Sequence, residues 1–203
     1  MLINQLLDIM SSENPTTRER ILKSAWELLE VGTGSAVRMS DIAKCAGISR
    51  QALYLHFPNR ADLLVATTRY LDQVKKVDAR LAASRGAATA EQRLAAFVEA
   101  WGNYIPEIYG VAKALMAMQE TDEEARAAWA DRMQAVRHGC RAAVDALREE
   151  GRLSEDLTGE AATDMLWALL SVRNWEQLRH GCGWPQERYI GMTLRNARRL
   201  LIG

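Results

Sequence analysis

The segment MSDIAKCAGISRQALYLHFPNRADLL, residues 39–64, predicts two short helices joined by a tight turn. Apolar residues recur at helical spacing in its first part until Gly47 interrupts them. Glycine permits the positive φ angle that such a turn needs. Ser49 is a favourable N-cap for a second helix over Arg50–His56, which Pro58 brings to an end. Together these features predict a helix-turn-helix.

The rest of the chain also shows helical periodicity, and we predict an all-α fold. Thr16 and Glu19 have the spacing of a capping box, at the start of a first helix that continues to Val31. Four prolines, thirteen glycines and two phenylalanines, against many alanines and leucines, favour helices over strands. Six further helical stretches are predicted after Pro58: Asn59–Ser84, Ala90–Ile105, Pro106–Gln119, Asp122–Glu150, Thr158–His180 and Pro185–Leu201.

Composition and charge exclude several classes of protein. The 203 residues carry 26 basic and 26 acidic side chains, so the net charge says nothing about a polyanionic partner. Three widely spaced cysteines do not suggest a disulfide framework and fit a reducing compartment. Residues 1–10 lack the basic start and the cleavage site of a signal peptide, and no apolar run reaches the ~20 residues of a membrane-spanning helix. We therefore expect a soluble cytoplasmic protein.

The helix-turn-helix region resembles the DNA-binding domain of the tetracycline-repressor (TetR) family. The resemblance covers about a quarter of the 203 residues, and the remaining chain matches the family only in length and helical content. The matching positions are Ile42-Ala43, Ala46-Gly47-Ile48-Ser49, Leu53-Tyr54, Phe57-Pro58, and Arg60 before Leu63. A first helix with Thr16–Glu19 at its start precedes them, as in the family.

The resemblance implies a flexible leader over residues 1–15, a helix-turn-helix DNA-binding domain over 16–63, and a helical effector-binding and dimerisation domain over 64–203. A long fourth helix joins the last two. The implied function is that of a homodimeric repressor, which binds a palindromic double-stranded DNA operator and is released by a small apolar or aromatic effector. The effector would shift the angle of the fourth helix and so the separation of the two recognition helices. No cofactor and no membrane partner are implied.

Seven residues are predicted to contact DNA. Arg50 and Gln51 occupy the first turn of the recognition helix, where an arginine can bond guanine O6 and N7 and a glutamine adenine N6 and N7. Most of the others would contact phosphates and so position the helix. The full set is Arg38, Ser49, Arg50, Gln51, Tyr54, His56 and Arg60. Leu55 stands where the family commonly has an aromatic or polar group. Because residues 16–64 carry a surplus of only two basic side chains, specific binding is expected to require a dimer.

The predicted helix over Thr158–His180 is apolar nearly all round and therefore needs partners on two sides. One partner can be a second subunit, as the family usually dimerises, and the alternative is that its own monomer encloses the helix. The predicted dimerisation residues are Met165, Leu169, Val172, Ile190, Leu194, Ala197 and Leu201. Effector pockets of this type are built from large apolar and aromatic groups, although the same residues can form plain core. The predicted pocket residues are Trp101, Tyr104, Met118, Trp167 and Asn174.

Three alternatives come from the residues alone. The triplet His-Gly-Cys at residues 138–140 and 180–182 suggests a metal-responsive regulator. Residues two apart on a helix point nearly opposite ways, so we predict no metal site. Cys140 with His138 suggests a nucleophile and base, but no orienting acid or glycine-rich phosphate loop accompanies them, and we predict neither catalytic residues nor an enzyme. The third alternative is a ligand-independent or partner-regulated DNA-binding protein, which would need no cavity.

Overall fold

Helices form every named element of the computed structural model, which describes residues 15–32 and 37–203. They are α1 (Thr17–Val31), α2 (Met39–Cys45), α3 (Arg50–His56), α4 (Arg60–Val74), α5 (Val77–Arg80), α6 (Ala82–Arg85), α7 (Ala90–Met118), α8 (Glu123–Glu149), α9 (Gly159–Leu169), α10 (Val172–Glu176) and α11 (Gln186–Leu201). A π-helical turn over Gln177–Gly181 follows α10, and Leu153 and Ile202 form an isolated β-bridge. The predicted all-α fold is confirmed over the described ranges. The predicted leader lies outside them, apart from Pro15.

Local signals start and stop the first three helices as predicted. The Thr16 hydroxyl accepts a hydrogen bond from the Glu19 amide at 3.2 Å, and the Glu19 carboxylate accepts one from the Thr16 amide at 2.8 Å. This is the predicted capping box. Gly47 has a φ of 66°, which glycine adopts without strain, and the turn that it makes joins α2 to α3. The Ser49 hydroxyl caps α3 by accepting from the Ala52 amide at 3.1 Å.

The described chain divides into two compact units. The first contains the described residues up to Leu71 together with Lys113–Trp129, and the second contains Asp72–Ala112 and Ala130–Gly203. Placing Lys113–Trp129 with the N-terminal helices differs from the predicted boundary after residue 63, which followed chain order alone. Fully buried side chains of the first unit include Ile21, Ala25, Leu29, Ile42, Leu53, Leu63 and Leu64, and those of the second include Leu94, Ile105, Leu147, Leu166 and Tyr189. No helix within the described ranges is both long and apolar enough to cross a membrane.

The predicted long fourth helix is interrupted. α4 ends at Val74, and Lys76 then adopts a left-handed conformation with φ 55°. Such a conformation is uncommon for a residue with a Cβ atom. It is held by Arg80, whose Nε donates to the Lys75 carbonyl at 2.8 Å, and by Glu107, whose carboxylate pairs with both Lys75 (3.4 Å) and Arg80 (2.7 Å). These contacts close the end of α4 and start two short helices where one continuous helix was expected.

A single helix, α7, replaces the two stretches predicted on either side of Pro106. Proline has no amide hydrogen, so the carbonyl of Gly102, four residues earlier, loses its helical partner. The side-chain amide of Gln186 supplies the missing donor at 2.7 Å. The helix therefore continues through Pro106 because a residue 84 positions away satisfies the carbonyl that the proline leaves open.

The stretch predicted as one helix over Thr158–His180 is divided at Leu170 and Ser171. The Ser171 hydroxyl caps α10 by accepting from the Asn174 amide at 3.2 Å. The indole Nε1 of Trp101 donates to the Leu170 carbonyl at 2.7 Å. The Ser171 cap satisfies the Asn174 amide at the start of α10, and the Trp101 hydrogen bond satisfies the Leu170 carbonyl after the end of α9.

Candidate nucleic-acid interface

One face of α3 is anchored in the first unit and the opposite face is open to solvent. Leu53 is fully buried, and Phe57, one turn further on, is almost so. The guanidinium of Arg18 on α1 lies 4.4 Å from the centroid of the Phe57 ring. These contacts fix the helix on its inner side, so the orientation of the exposed face is set by the core of the unit.

The exposed face carries four of the residues predicted to contact DNA. Arg50, Gln51, Tyr54 and His56 are all exposed. The guanidinium of Arg50 donates to the Tyr54 hydroxyl at 3.4 Å and lies 5.6 Å from the centroid of its ring. Because the two side chains are four residues apart on a helix, they lie next to each other. The arginine and the tyrosine therefore contact each other on the exposed surface of α3.

Leu55 is a further residue of this face that the predicted set did not include. Its side chain is 85% exposed, among the most exposed large apolar side chains of the described chain. It lies one turn beyond Gln51, so the two side chains project from the same side of α3. An exposed apolar group on such a helix can contact the methyl group of thymine in the major groove. The sequence does indicate this residue, because Leu55 is apolar but does not share the four-residue spacing of the buried Leu53 and Phe57.

The other predicted contacts, Arg38 and Ser49, lie at helix starts. Arg38 is exposed and occupies the N-cap position of α2, where its side chain makes no capping hydrogen bond. Ser49 is also exposed, but its hydroxyl is engaged in capping α3.

Arg60 points inward and not towards the exposed face of α3. Its guanidinium donates to the Val37 carbonyl at 2.6 Å and pairs with the carboxylates of Asp122 at 2.7 Å and Glu124 at 3.1 Å. The sulfur of Met118 lies 3.9 Å away. Only 12% of the Arg60 side chain is exposed. Arg60 was predicted to contact a phosphate. The structure gives it a structural role, because the donors of its guanidinium are used within the first unit.

Asp122 is the main partner of Arg60 and also caps α8. Its carboxylate accepts from the Ala125 amide at 3.1 Å. Burial alone would raise the pKa of Asp122, but the hydrogen bonds from the Ala125 amide and from Arg60, with the positive charge of Arg60, outweigh it and lower the pKa. The ionised form of Asp122 is therefore the form that the folded unit stabilises.

The five predicted pocket residues are divided between the two units. Trp101 and Tyr104 contact each other in the second unit, with ring centroids 6.0 Å apart, whereas Met118 lies in the first unit beside Arg60. Trp167 and Asn174 each donate a side-chain hydrogen bond to a backbone carbonyl, at 3.1 Å and 2.7 Å. Most of these side chains therefore serve to hold helices together, and the predicted pocket stays a prediction.

Tyr104 belongs to a polar network that the sequence did not indicate. Its hydroxyl donates to the carboxylate of Asp72 at 2.6 Å, and the same carboxylate is ion-paired with Arg132. Burial raises the pKa of Asp72 and the pKa of Tyr104. The three residues come from distant parts of the chain, so no motif or spacing could have revealed them.

The predicted dimerisation residues differ in accessibility. Val172, Ala197 and Leu201 are buried within the second unit itself and have no surface left for another copy. The side chain of Met165 is 43% exposed, and Leu169, Ile190 and Leu194 are partly exposed. The three buried residues therefore stabilise the subunit itself, and Met165, Leu169, Ile190 and Leu194 stay predicted dimer contacts.

The cysteines and histidines are spread over different environments. Cys140 is buried, and burial raises the pKa of its thiol to about 12, whereas Cys45 and Cys182 are exposed. Among the residues that the structure describes, no three His, Cys, Asp or Glu side chains are placed to hold a metal ion. The ring of His180 instead contacts the rings of Tyr109 and Trp175, at centroid distances of 5.1 and 5.2 Å.

Comparison with known proteins shows what the first unit is similar to. Residues 21–67 match the bacterial regulatory proteins of the tetR family. Over 64 residues the chain is 31% identical to the nucleoid occlusion factor SlmA of Marinobacter nauticus, an alignment that covers 32% of this chain and 33% of SlmA. Over 115 residues it is 30% identical to the HTH-type transcriptional regulator BetI of Rhizobium meliloti, covering 55% of this chain and 56% of BetI. The chain thus spans a third to about half the length of these curated relatives.

Solved structures extend the likeness to nearly the whole chain. NalD, the secondary repressor of the MexAB-OprM multidrug efflux pump in Pseudomonas aeruginosa, superposes with a TM-score of 0.67 at 26% identity and covers 92% of this chain and 96% of its own. A protein from Saccharomonospora viridis, crystallised in complex with choline, superposes with a TM-score of 0.70 at 20% identity over 92% of this chain and 97% of its own. At that identity the second likeness concerns the fold alone.

Proposed function

Because this chain belongs to the tetR family of bacterial regulatory proteins, we propose that it is a DNA-binding transcriptional regulator that acts in the cytoplasm as a homodimeric repressor. Proteins of this family are non-enzymatic, so the chain is not an enzyme. DNA recognition is assigned to the first unit, and effector binding and dimerisation are assigned to the second.

The observation that carries this proposal is the exposed face of α3. A helix that buries Leu53 and exposes Arg50, Gln51 and Leu55 to solvent has the groups needed to read base edges in a major groove. Arg50 suits guanine, Gln51 suits adenine, and Leu55 suits the methyl group of thymine. The side chains near them, Tyr54 among these, are suited to phosphate contacts.

Two copies of α3 are needed for specific binding, because a single seven-residue helix offers few contacts. A two-fold symmetric dimer places two recognition helices about one DNA turn apart, ~34 Å, and so reads a palindrome. The four partly exposed residues of the predicted interface, Met165, Leu169, Ile190 and Leu194, are the ones assigned to this dimer.

Release from DNA by a small molecule is the second part of the proposal. The related fold from Saccharomonospora viridis was solved with choline bound, which supports a small-molecule site in proteins of this fold. An effector must bind the non-DNA-binding conformation more tightly, since equal affinity for both conformations shifts nothing. Coupling of this kind typically amounts to ~1–3 kcal/mol.

The test uses the purified full chain. Selection from a pool of genomic fragments should enrich a palindromic site, and fluorescence anisotropy on that site should show affinity falling steeply with salt because phosphate contacts release counterions. Gln51→Ala should weaken binding by about 10- to 100-fold, as expected for a lost base contact worth ~1–3 kcal/mol. Gln134→Ala changes an exposed glutamine of the second unit and should leave affinity unchanged. Equal affinities of the two variants, or a selection that enriches no sequence, would contradict the proposal.

A further inference from the structure

Three rings of the second unit form a cluster, which we call the ring cluster: Tyr109 of α7, Trp175 of α10 and His180 of the π-helical turn. The centroid of the Tyr109 ring lies 4.9 Å from that of Trp175 and 5.1 Å from that of His180, and the last two are 5.2 Å apart. The three centroids thus form a nearly equilateral triangle.

The π-helical turn is what brings His180 into the ring cluster. In an α-helix, residues five apart point about 140° away from each other, given 3.6 residues per turn. The turn over Gln177–Gly181 has the wider winding of a π-helix, shown by the hydrogen bond of 2.8 Å from the Cys182 amide to the Gln177 carbonyl. His180 consequently lies against Trp175, five residues earlier. Single π-turns inside helices are rare and occur often at functional sites.

A carboxylate is held at the edge of the ring cluster. The hydroxyl of Tyr109 donates to the carboxylate of Glu176, the residue that follows Trp175. Burial, and then this hydrogen bond and the negative charge of Glu176, raise the pKa of Tyr109 to about 12, so the phenol stays a donor at neutral pH. On the other side, the indole Nε1 of Trp175 donates to the side-chain carbonyl of Gln186 at 3.1 Å. The Tyr109 hydroxyl and the Trp175 indole nitrogen of the ring cluster are therefore both held by hydrogen bonds.

The ring cluster has a closed side and an open side. Trp175 is buried, whereas Tyr109 and Glu176 are partly exposed and His180 is exposed. Solvent therefore reaches the rings from the side of His180. The neighbouring arginine of the π-helical turn, Arg179, donates from one terminal nitrogen to the Trp184 carbonyl, and its buried Nε has no hydrogen-bond partner among the described residues.

We propose that the ring cluster and Glu176 form a binding site for an organic cation of the quaternary or alkylated ammonium type. The faces of aromatic rings are electron-rich and attract a cation within ~6 Å of the ring centroid, most strongly when the cation is weakly hydrated. Because Trp175 is buried, a cation on the open side would lie against the rings of Tyr109 and His180, which pack on Trp175 from that side. The Glu176 carboxylate adds a full negative charge, which a neutral apolar ligand could not use.

If the chain is the repressor proposed above, this site identifies the chemical class of its effector, so the regulatory role of the site rests on that proposed function. The binding of the cation does not rest on it. It depends only on the ring cluster and Glu176, so it can be measured in the absence of DNA.

The first experiment compares a cation with its neutral isostere on the full chain. Choline and tetramethylammonium are titrated by isothermal calorimetry and by tryptophan fluorescence, alongside 3,3-dimethylbutan-1-ol, which has the shape of choline without its charge. We expect both cations to bind, and the neutral alcohol to bind at least tenfold more weakly. Failure of both cations to bind at millimolar concentration, or equal binding of choline and the alcohol, would overturn the proposal.

Matched variants locate the site. Glu176→Gln removes the charge but keeps an oxygen that can accept from Tyr109, and Glu187→Gln removes an exposed carboxylate of α11 as its control. His180→Leu removes an exposed ring, and His138→Leu is its control. We expect a 3- to 30-fold loss of choline affinity in the first variant of each pair, in line with ~0.5–2 kcal/mol for one cation contact, and none in its control. Circular dichroism confirms that each variant is folded, and equal affinities within both pairs would overturn the proposal.

A third measurement separates this inference from the function on which it partly rests. Choline is added to the complex of the chain with its selected DNA site, and release is followed by anisotropy. Release that disappears in Glu176→Gln supports the effector role. Choline binding without release overturns that role. Intact DNA recognition without choline binding overturns the cation site alone, whereas choline binding without any DNA recognition overturns the proposed repressor and not the site.

Discussion

Replacing Arg60 with methionine should destabilise the first unit, because the largely buried side chain of Arg60 connects α4 to the start of α8 through its ion pairs. The substitution removes the donors to Val37 and Asp122 while it keeps a long apolar side chain. Asp122, whose side chain is only 17% exposed, would then be left without its cation. Breaking a buried ion pair by removing one partner costs ~3–5 kcal/mol, and the residual exposure of this pair lowers the expected cost to ~2–3 kcal/mol. For a chain of 203 residues, ~2–4 °C per kcal/mol gives a fall in melting temperature of ~5–10 °C.

The assay is thermal unfolding followed by circular dichroism, with DNA affinity measured in parallel. Arg20→Met is the matched control, since it removes the same charge from an exposed position of α1 and should change stability by less than ~0.5 kcal/mol. A double-mutant cycle with Asp122→Asn should give a coupling energy of ~1–3 kcal/mol, because asparagine can still cap α8 but cannot pair with Arg60. If Arg60→Met melted like the wild type but lost DNA affinity and lowered the salt dependence by about one phosphate contact, Arg60 would be a phosphate ligand and the structural reasoning would be refuted.

Two further predictions concern packing and pH. Gly139→Ala should destabilise the second unit by ~1–3 kcal/mol, because the new Cβ atom would overlap the ring of Phe97, whereas Gly191→Ala, where nothing lies within 4 Å of the new Cβ, should be neutral or slightly stabilising. Chemical denaturation of both variants checks this, and equal effects would count against the packing. The pKa of Asp122 is lower in the folded chain than the ~4 of an unfolded aspartate, so its stabilisation is complete above that value and is lost as the pH falls through the folded pKa. Asp122→Asn should therefore be less stable than the wild type at pH 7, and the difference should shrink towards pH 3; a difference independent of pH would show that the carboxylate charge does not matter.

The features that could be predicted from the sequence are those whose causes lie within a few residues. The capping box of Thr16 and Glu19, the turn at Gly47 and the cap at Ser49 each depend on one side chain and its immediate neighbours. The helical periodicity around them is equally local. For that reason the helix-turn-helix and the exposed face of α3 can be predicted from the order of the residues alone.

The features that could not be predicted depend on residues far apart in the chain. Pro106 was expected to end a helix because nothing near it indicates that Gln186 would satisfy the Gly102 carbonyl. Arg60 was assigned to phosphate because its partner Asp122 lies more than sixty residues away. In both cases a tertiary contact overrode a sound local rule.

The ring cluster was missed for a different reason. Trp175 and His180 are five residues apart, a spacing that α-helical periodicity assigns to different faces. Only the π-helical turn places them together, and sequence periodicity carries no signal for such a turn. A different difficulty applies to three of the predicted dimerisation residues, Val172, Ala197 and Leu201. An apolar stripe in the sequence does not reveal whether its own subunit or a second subunit covers it.

The first unit is discontinuous in sequence, and this limits how it can be exchanged or isolated. A fragment that stops after Leu71 would lack Lys113–Trp129 and with it the acidic counterparts of Arg60. A chimera that joins the residues up to Leu71 to the remainder of another regulator would leave Arg60 unpaired wherever that regulator has no carboxylates in place of Asp122 and Glu124. A chimera that keeps these ion pairs must therefore also transfer residues 113–129, which include the end of α7 and the start of α8, together with the N-terminal helices.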